Sequence, residues 1–294
     1  MSEKKYSFII LHYNVIEETI ACIASIKECM AGVKYSIVVV DNASPNGTGN
    51  ELVERYRNDE LVTILLNDEN EGFARGNNKG ISYARKIENP DFIVVLNNDT
   101  ILLQKDFAQL IETEWEGSRF AVLGPKIMTP AGINQNPFPK KIETIKSVFW
   151  EYYRSCVGIV LAYMSLEKKW IDCKSLIKKI LKREGCTGTE YKRKQECRQE
   201  NVKLHGSFLI FSTVFFKHFQ GFDPRTFLYV EEDILWNHLK NKGLLSVYNP
   251  LLEIAHNESV ATKSTMKNQS KKRVFYWRER MKSLRILLCV LRGR

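Results

Sequence analysis

Four short runs dominated by apolar residues, each cut off by polar residues and the first three each followed by a segment of helical period, constrain this chain more than any other feature. They are Phe8 to Leu11, Ile37 to Val40, Val62 to Leu66 and Phe92 to Leu96. They stop at His12-Tyr13-Asn14, at Asp41-Asn42, at Asn67 and at Asn97-Asn98-Asp99. Unbroken runs of four or five residues, rich in Val and Ile, read as strands buried on both faces. Between them, Ile16, Ile20, Ile23, Ala24 and Ile26 recur at helical spacing, a second helix is expected near Glu51 to Arg57, and Gly72 to Ile87 reads as a third. This alternation predicts an α/β fold of right-handed βαβ units, with a mostly parallel central sheet and helices on both faces.

Ligands of such sheets sit beyond the carboxyl ends of the strands, and that is where Asn14, Asp41, Asn67 and Asn97 to Asp99 collect. A carboxylate at Asp99 suits a hard divalent cation, which in turn neutralises phosphate oxygens. The plainer alternative is an Asn/Asp turn that ends a strand. Asp41 is a candidate to accept hydrogen bonds from a base or ribose, with a helix N-cap or Asx turn as its plain reading. No G-x-G-x-x-G follows the first run and no P-loop is present, which argues against a dinucleotide-dependent dehydrogenase or an NTPase.

The segments VVVDNASPNGT, NEGFARGNNKG and VVLNNDT, in this order, resemble the inverting glycosyltransferases of family 2, which have the GT-A fold. GPKIMTPAG (124–132), HGSFLIFSTVFFKHFQGFD (205–223) and FLYVEEDILWNHLKNKG (227–243) are similar to acceptor-side motifs of the branch containing rhamnosyltransferases. The resemblance implies a nucleotide-sugar-binding part over 1–130, an acceptor-binding part over 131–262 with a basic helical insertion at 140–203, and a basic amphipathic C-terminal helix in 263–294. It implies transfer of a sugar from a nucleoside diphosphate to a hydroxyl of a glycan or lipid-linked acceptor in cell-surface polysaccharide synthesis.

Site residues follow from the same resemblance. Asn97-Asn98-Asp99 stands where the family has its DXD motif, so Asp99 would hold Mg²⁺ or Mn²⁺ against the diphosphate and Asn97 would face the ribose or sugar. The first carboxylate of the motif is an amide here, which implies that the metal enters with the donor. Asp41 would contact the base, Asn14, Asn77 and Asn78 would line the donor pocket, and Arg75 would lie near the diphosphate. Glu231-Glu232-Asp233 matches the acidic motif that supplies the general base, with Asp233 preferred, Glu232 as the alternative and Glu231 on the acceptor side. Three adjacent acids also suit a helix N-terminus. His256 would complete the metal site, although a lone His is as often a satisfied core residue. His205 and Gly206 would shape the acceptor floor.

Charge is segregated. Residues 140–203 carry 16 Lys/Arg against 8 Asp/Glu, and residues 263–294 carry 11 against 1, so these two segments hold all of the positive excess in a chain of net charge +10. In the tail, Val274, Trp277, Met281, Leu284, Leu288 and Leu291 form a stripe with basic residues beside it, which suits an anionic membrane surface. Packing on the protein's own core, or on a second subunit in a homo-oligomer, is the alternative. The longest apolar run, Cys156 to Met164, falls short of the ~20 residues of a membrane span. The start, MSEKKYSFIILHYN, has too short an apolar core for a signal peptide. Seven cysteines without a CxxC pair suggest neither zinc nor a disulfide framework and fit a reducing compartment. The expectation is a cytoplasmic enzyme peripherally associated with the membrane. Competing readings are a nucleotidyltransferase, a catalytically inactive relative that binds sugar nucleotides, and a nucleic-acid-binding protein. The first would want a Gly-rich basic loop after the first strand, and HYNVIEET offers none. The last is disfavoured because the tail's aromatics sit with its apolar stripe.

Overall fold

The computed structural model describes residues 3–138, 141–164, 193, 195–257 and 269–293. The first four apolar runs form strands β1 (Lys5–His12), β2 (Lys34–Asp41), β3 (Val62–Leu66) and β4 (Phe92–Asn97), all parallel, in the order β3-β2-β1-β4. Between and after them run helices α1 (Ile16–Cys29), α2 (Thr48–Arg55), α3 (Gly72–Tyr83) and α4 (Phe107–Ser118). Successive strand residues face opposite sides of the sheet, which is why the runs in β1, β2 and β4 are apolar throughout, while β3 at the sheet edge is half-buried and carries Thr63. Phe8, Ile10, Val39 and Val94 pack in one core with Ile23 and Ile26 of α1 and Phe107 and Ile111 of α4. Ile9, Val38, Val40 and Val95 pack in the other with Ala74 and Ile81 of α3.

Two helix boundaries differ from expectation. Helix α2 begins at Thr48 because Gly47, at φ 80, turns the chain into it in the left-handed region. The helix expected to run from Gly72 to Ile87 is α-helical only to Tyr83. It continues as one π-helical stretch, Ala84–Glu88, and ends where Asn89 turns left-handed.

The remaining strands are β5 (Thr100–Leu102), β6 (Val122–Met128), β7 (Gln199–Glu200), β8 (Phe208–Ser212) and β9 (Ser246–His256). Strand β8 lies antiparallel on β4, β6 bridges β8 and β9, and β5 and β7 pair antiparallel with β9. The result is one mixed sheet of nine strands among the described residues.

Helices α5 (Ile145–Tyr163), α6 (Thr213–Phe216), α7 (Glu231–Asn241) and α8 (Gln269–Leu291) complete the chain. The tail is part of the fold. Leu284, Leu287 and Val290 of α8 join Val148 of α5 and Val230 and Ile234 at the start of α7 in a third core, and Gly158 lets α5 approach the Trp277 ring closely. Of the expected stripe, Val274 and Leu284 are buried and the others are half-buried. The stripe therefore faces the protein's own helices, and the expectation that it lies on a membrane is corrected. Burying four such side chains is worth roughly 6 kcal/mol or more, enough to hold the tail on the protein. The basic helical pattern around Leu176 to Leu181 lies outside the described residues.

Candidate active site

The carboxyl ends of the parallel strands lie side by side. In the register of the sheet His12 is opposite Asp41, and Leu11 is opposite both Val40 and Asn97. One residue beyond Asn97 the chain turns through Asn98 and Asp99 into β5, which pairs with the end of β9 so that Thr100 lies opposite His256. The Asn98 amide donates to the Thr19 hydroxyl at 3.0 Å and to the Val15 carbonyl, fixing the turn. Asp99 and His256 are both buried, with Asp99 Oδ1 3.2 Å from His256 Nε2.

This pair fits a divalent cation. His256 Nδ1 lies 2.7 Å from Gln135 Oε1, an oxygen that can only accept, so Nδ1 carries a hydrogen and Nε2 is the ring atom turned toward a carboxylate oxygen. Nε2 and Oδ1 are both atoms that a divalent cation can take as ligands. Ligands adjacent on one octahedral ion at ~2.1 Å stand ~3 Å apart, close to the separation seen. Among the described residues no group of three or more His, Cys, Asp and Glu side chains could hold a metal, so these two donors would leave room for phosphate oxygens and water.

A cleft of about 420 Å³ opens next to this pair. Asn97, Ser207, Gly206 and His205 line it together with Tyr229, Glu231, Glu232 and Asp233. His205 stacks on Phe138 (centroids 4.9 Å apart) and meets the His256 ring edge-on at 5.8 Å, joining cleft and pair. Gly206 is where its sequence suggested a close approach. Its amide points at Glu232 Oε1 at 3.4 Å, and an added Cβ would stand 3.0 Å from that oxygen.

The acidic triplet opens α7, and its three members differ sharply. The two residues before it, Tyr229 and Val230, both hold φ near 70° (72° and 71°), costly for non-glycine residues and more so for a β-branched one. That turn delivers the triplet to the cleft wall. Asp233, the preferred base, is committed elsewhere: its Oδ1 accepts from Lys203 Nζ and from the Ile142 amide, both at 2.9 Å, and both charged side chains are buried. Burial pushes its pKa up, and Lys203 opposes that shift. Glu231 is buried with its Oε1 unpartnered, and burial, reinforced by the charge of Glu232, pushes its pKa up to about 8. Glu232 is half-buried and is the member whose carboxylate stands against Gly206.

The donor-side residues divide in the same way. Asn14 takes up a left-handed conformation (φ 66), with its amide on the Ser44 hydroxyl and its side-chain Oδ1 buried without a partner. Asn77 is buried in α3, its amide on the Phe73 carbonyl and its Oδ1 also unpartnered. Asp41 accepts from the Ser44 amide in the Asx-turn manner and lies 3.9 Å from His12 Nε2, a ring whose pKa burial lowers. Asn78 is spent on both backbone groups of Phe222, and Arg75 is exposed and bonded to the Pro224 carbonyl, apart from the cleft lining.

Among the cleft residues that sequence reasoning missed are Phe138, Lys203, Tyr229 and Arg280. Tyr229 adjoins a recognised motif and could have been found there. Phe138 and Lys203 sit in segments without periodicity. Arg280 comes from the tail, held by Glu151 of α5 at 2.9 Å, and no local pattern links it to the cleft.

The family model for Glycosyl transferase family 2 matches residues 7–162. An N-acetylglucosaminyl-diphospho-decaprenol L-rhamnosyltransferase of Mycobacterium tuberculosis is 25% identical over 234 residues, covering 77% of this chain and 68% of that protein. A low-salt glycan biosynthesis hexosyltransferase, Agl10, of Haloferax volcanii is 30% identical over 136 residues, 46% of this chain and 41% of that one. Among solved structures, residues 1–349 of TarS from S. aureus align with a TM-score of 0.52 at 14% identity, covering 86% of this chain, which spans 60% of that structure. GalNAc-T7, solved with UDP, GalNAc and Mn²⁺, aligns with a TM-score of 0.55 at 13% identity, covering 87% of this chain and 44% of that one. These two likenesses concern the fold.

Proposed function

The chain belongs to glycosyl transferase family 2, whose model matches more than half of it, and from that premise we propose that it moves a sugar from a nucleoside diphosphate to an acceptor hydroxyl with inversion. It is a glycosyltransferase with a GT-A fold; the donor, the stereochemistry, the metal and the acceptor are our reading. The observation that carries the reading is the Asp99–His256 pair beside a cleft that Glu232 lines.

Asn14 and Asn77 supply two acceptor oxygens without partners, chemistry that suits ribose hydroxyls or a base N–H, and Asp41 lies at the neighbouring strand end. Asp99 and His256 would hold Mg²⁺ or Mn²⁺. When bound, that cation would offset the negative charge that develops on the departing diphosphate. Asn97 would orient the sugar in the cleft. Glu232 is the base: its carboxylate takes the proton from the acceptor hydroxyl as the oxygen attacks the anomeric carbon, and the electron pair of the breaking C–O bond leaves with the diphosphate. Asp233 holds Lys203 and the Ile142 amide, and so positions the start of α7. A buried carboxylate already bonded to an ammonium and an amide is a poor proton acceptor for a hydroxyl arriving in the cleft.

For the acceptor we infer a glycan carried on a lipid. The rhamnosyltransferase relative is named for a decaprenol-linked substrate, and the acceptor side here combines the rings of Phe138 and Tyr229 with the guanidinium of Arg280. The enzyme would then work at a membrane surface, and no helix of the described residues is long and apolar enough to cross one. Thermal-shift titration with UDP-, dTDP- and GDP-sugars, with and without Mn²⁺, tests the donor reading. Stabilisation by at least one of these sugar nucleotides, enhanced by Mn²⁺, is expected, and the same small response to all, with or without metal, would sink it.

A further inference from the structure

The tail stripe is covered, but the helix that covers it leaves another apolar face in the open. Phe149, Trp150, Tyr153, Val160, Tyr163 and Met164 of α5 are each more than half exposed. On a helix these positions share one side, where Trp150 and Tyr153 also stack on each other at 5.8 Å. Exposed aromatic and aliphatic residues contiguous over one helix face mark an interaction surface.

The charges around this face have one sign. Lys146 and Arg154 are the exposed charged residues of α5, and its one acid, Glu151, is buried between Arg154 and Arg280. Alongside, the described exposed positions of α8 are Lys271, Arg278, Lys282 and Arg285, all basic. The two sets are tied together, because Arg278 donates to the Tyr163 hydroxyl at 2.7 Å and Arg285 to the Tyr152 hydroxyl at 2.8 Å. An apolar, Trp- and Tyr-bearing strip thus runs beside a row of cations.

We propose that this face of α5, with the basic row of α8, lies in the interface of an anionic bilayer. The inference deepens the reading of a lipid-linked acceptor and rests on it for its purpose, since Arg280 of α8 already reaches the cleft. Charge selects the occupant. A second copy of the chain docked face to face would set these cations against their own duplicates, whereas anionic headgroups neutralise them. The aliphatic members Val160 and Met164 suit hydrocarbon better than nucleobases. A helix of 19 residues, roughly 28 Å long, lying flat would wet one side in the headgroup region without crossing it.

The test is co-sedimentation of the whole protein with vesicles of phosphatidylcholine alone or mixed with phosphatidylglycerol. The wild type should sediment with the mixed vesicles and far less with phosphatidylcholine. Trp150→Ser with Tyr153→Ser should weaken that binding by at least about tenfold, and each of Arg278→Gln and Lys282→Gln by roughly fivefold. These side chains are exposed, so circular dichroism and thermal midpoint should stay unchanged. A wild type left in the supernatant, a double variant that sediments equally, or a dimer in solution that the double variant dissociates would each overturn the proposal. Glu232→Gln should sediment like the wild type, which separates a failure of the catalytic reading from a failure of docking.

Discussion

Asp99 and His256 stand 3.2 Å apart because β5 and β9 run antiparallel with Thr100 opposite His256, and the Asn257 amide closes the ladder on the Asp99 carbonyl. Backbone pairing, not side-chain flexibility, sets their separation. A pre-set pair binds a cation with little reorganisation, so the consequence of removing either member can be stated.

Asp99→Asn should lower kcat/KM by ~10²–10³-fold, the scale for losing one electrostatic stabiliser of a leaving group. It should also abolish the extra thermal stabilisation that Mn²⁺ gives in the presence of UDP. His256→Ala should do the same to a smaller degree, because phosphate oxygens and Asp99 would remain. An Asp99→Asn protein that keeps the Mn²⁺-dependent shift would remove the metal from this position.

Glu232→Gln should reduce kcat by ~10²–10⁴-fold, the usual contribution of a positioned base, and leave donor binding intact, since Glu232 faces Gly206, which we propose shapes the acceptor floor. Gly206→Ala is a milder version of the same test. Its Cβ would press on Glu232 Oε1 from 3.0 Å and turn the carboxylate, so kcat should fall while the thermal midpoint holds. Single-turnover transfer and donor titration read the two effects separately.

The difference between Asp233 and Glu232 shows how far the sequence could be read. Three acids in a row identify a motif, but which of them stays uncommitted in the cleft depends on the left-handed turn at Tyr229 and Val230 and on Lys203, distant in the chain. Strands β1, β2 and β4 were legible because a strand buried on both faces must be apolar, β3 because Val62, Ile64 and Leu65 still mark it at the sheet edge, and the polar ends that mark the site are contiguous with them. Strands β6 to β9 pair across long separations, and nothing local specifies those partners. The tail stripe was legible as a stripe, but α5 and α7, which cover it, could not be seen from its own period. That Asn78 bonds both backbone groups of Phe222 was likewise illegible, because its partner lies far along the chain.

Stability should depend on pH through Glu231. Its carboxyl is raised from 4.5 to about 8 in the folded protein, so between these values the folded state keeps a proton that the unfolded state has released. Stability must then fall as pH rises across the window, by up to ~1.4 kcal/mol per unit, and level off above about 8. Below about 4.5 both states are protonated and this group contributes no slope. Glu231→Gln should flatten the profile from pH 5 to 8 and leave the variant more stable than the wild type at pH 8. Urea unfolding at several pH values measures it, and equal slopes for variant and wild type would show that Glu231 is ionised in the fold.

Lys203 and Asp233 form an ion pair whose side chains are 7% and 9% exposed, and removing one partner is different from removing both. Lys203→Met leaves a buried carboxylate bonded only to the Ile142 amide and should cost ~3–5 kcal/mol. Asp233→Leu strands the ammonium over the Phe138 ring, 4.6 Å away, and should cost a similar amount, less what that cation–π contact of ~1–2 kcal/mol retains. The double variant should recover most of the loss, because two apolar side chains of similar volume satisfy each other where one charge could not. Chemical denaturation of the four proteins gives the coupling energy directly. Transfer kinetics on the same set then decide the role of Asp233. A positioning residue predicts that the double variant regains much of its kcat along with its stability, while a catalytic base predicts a stable protein that stays inactive.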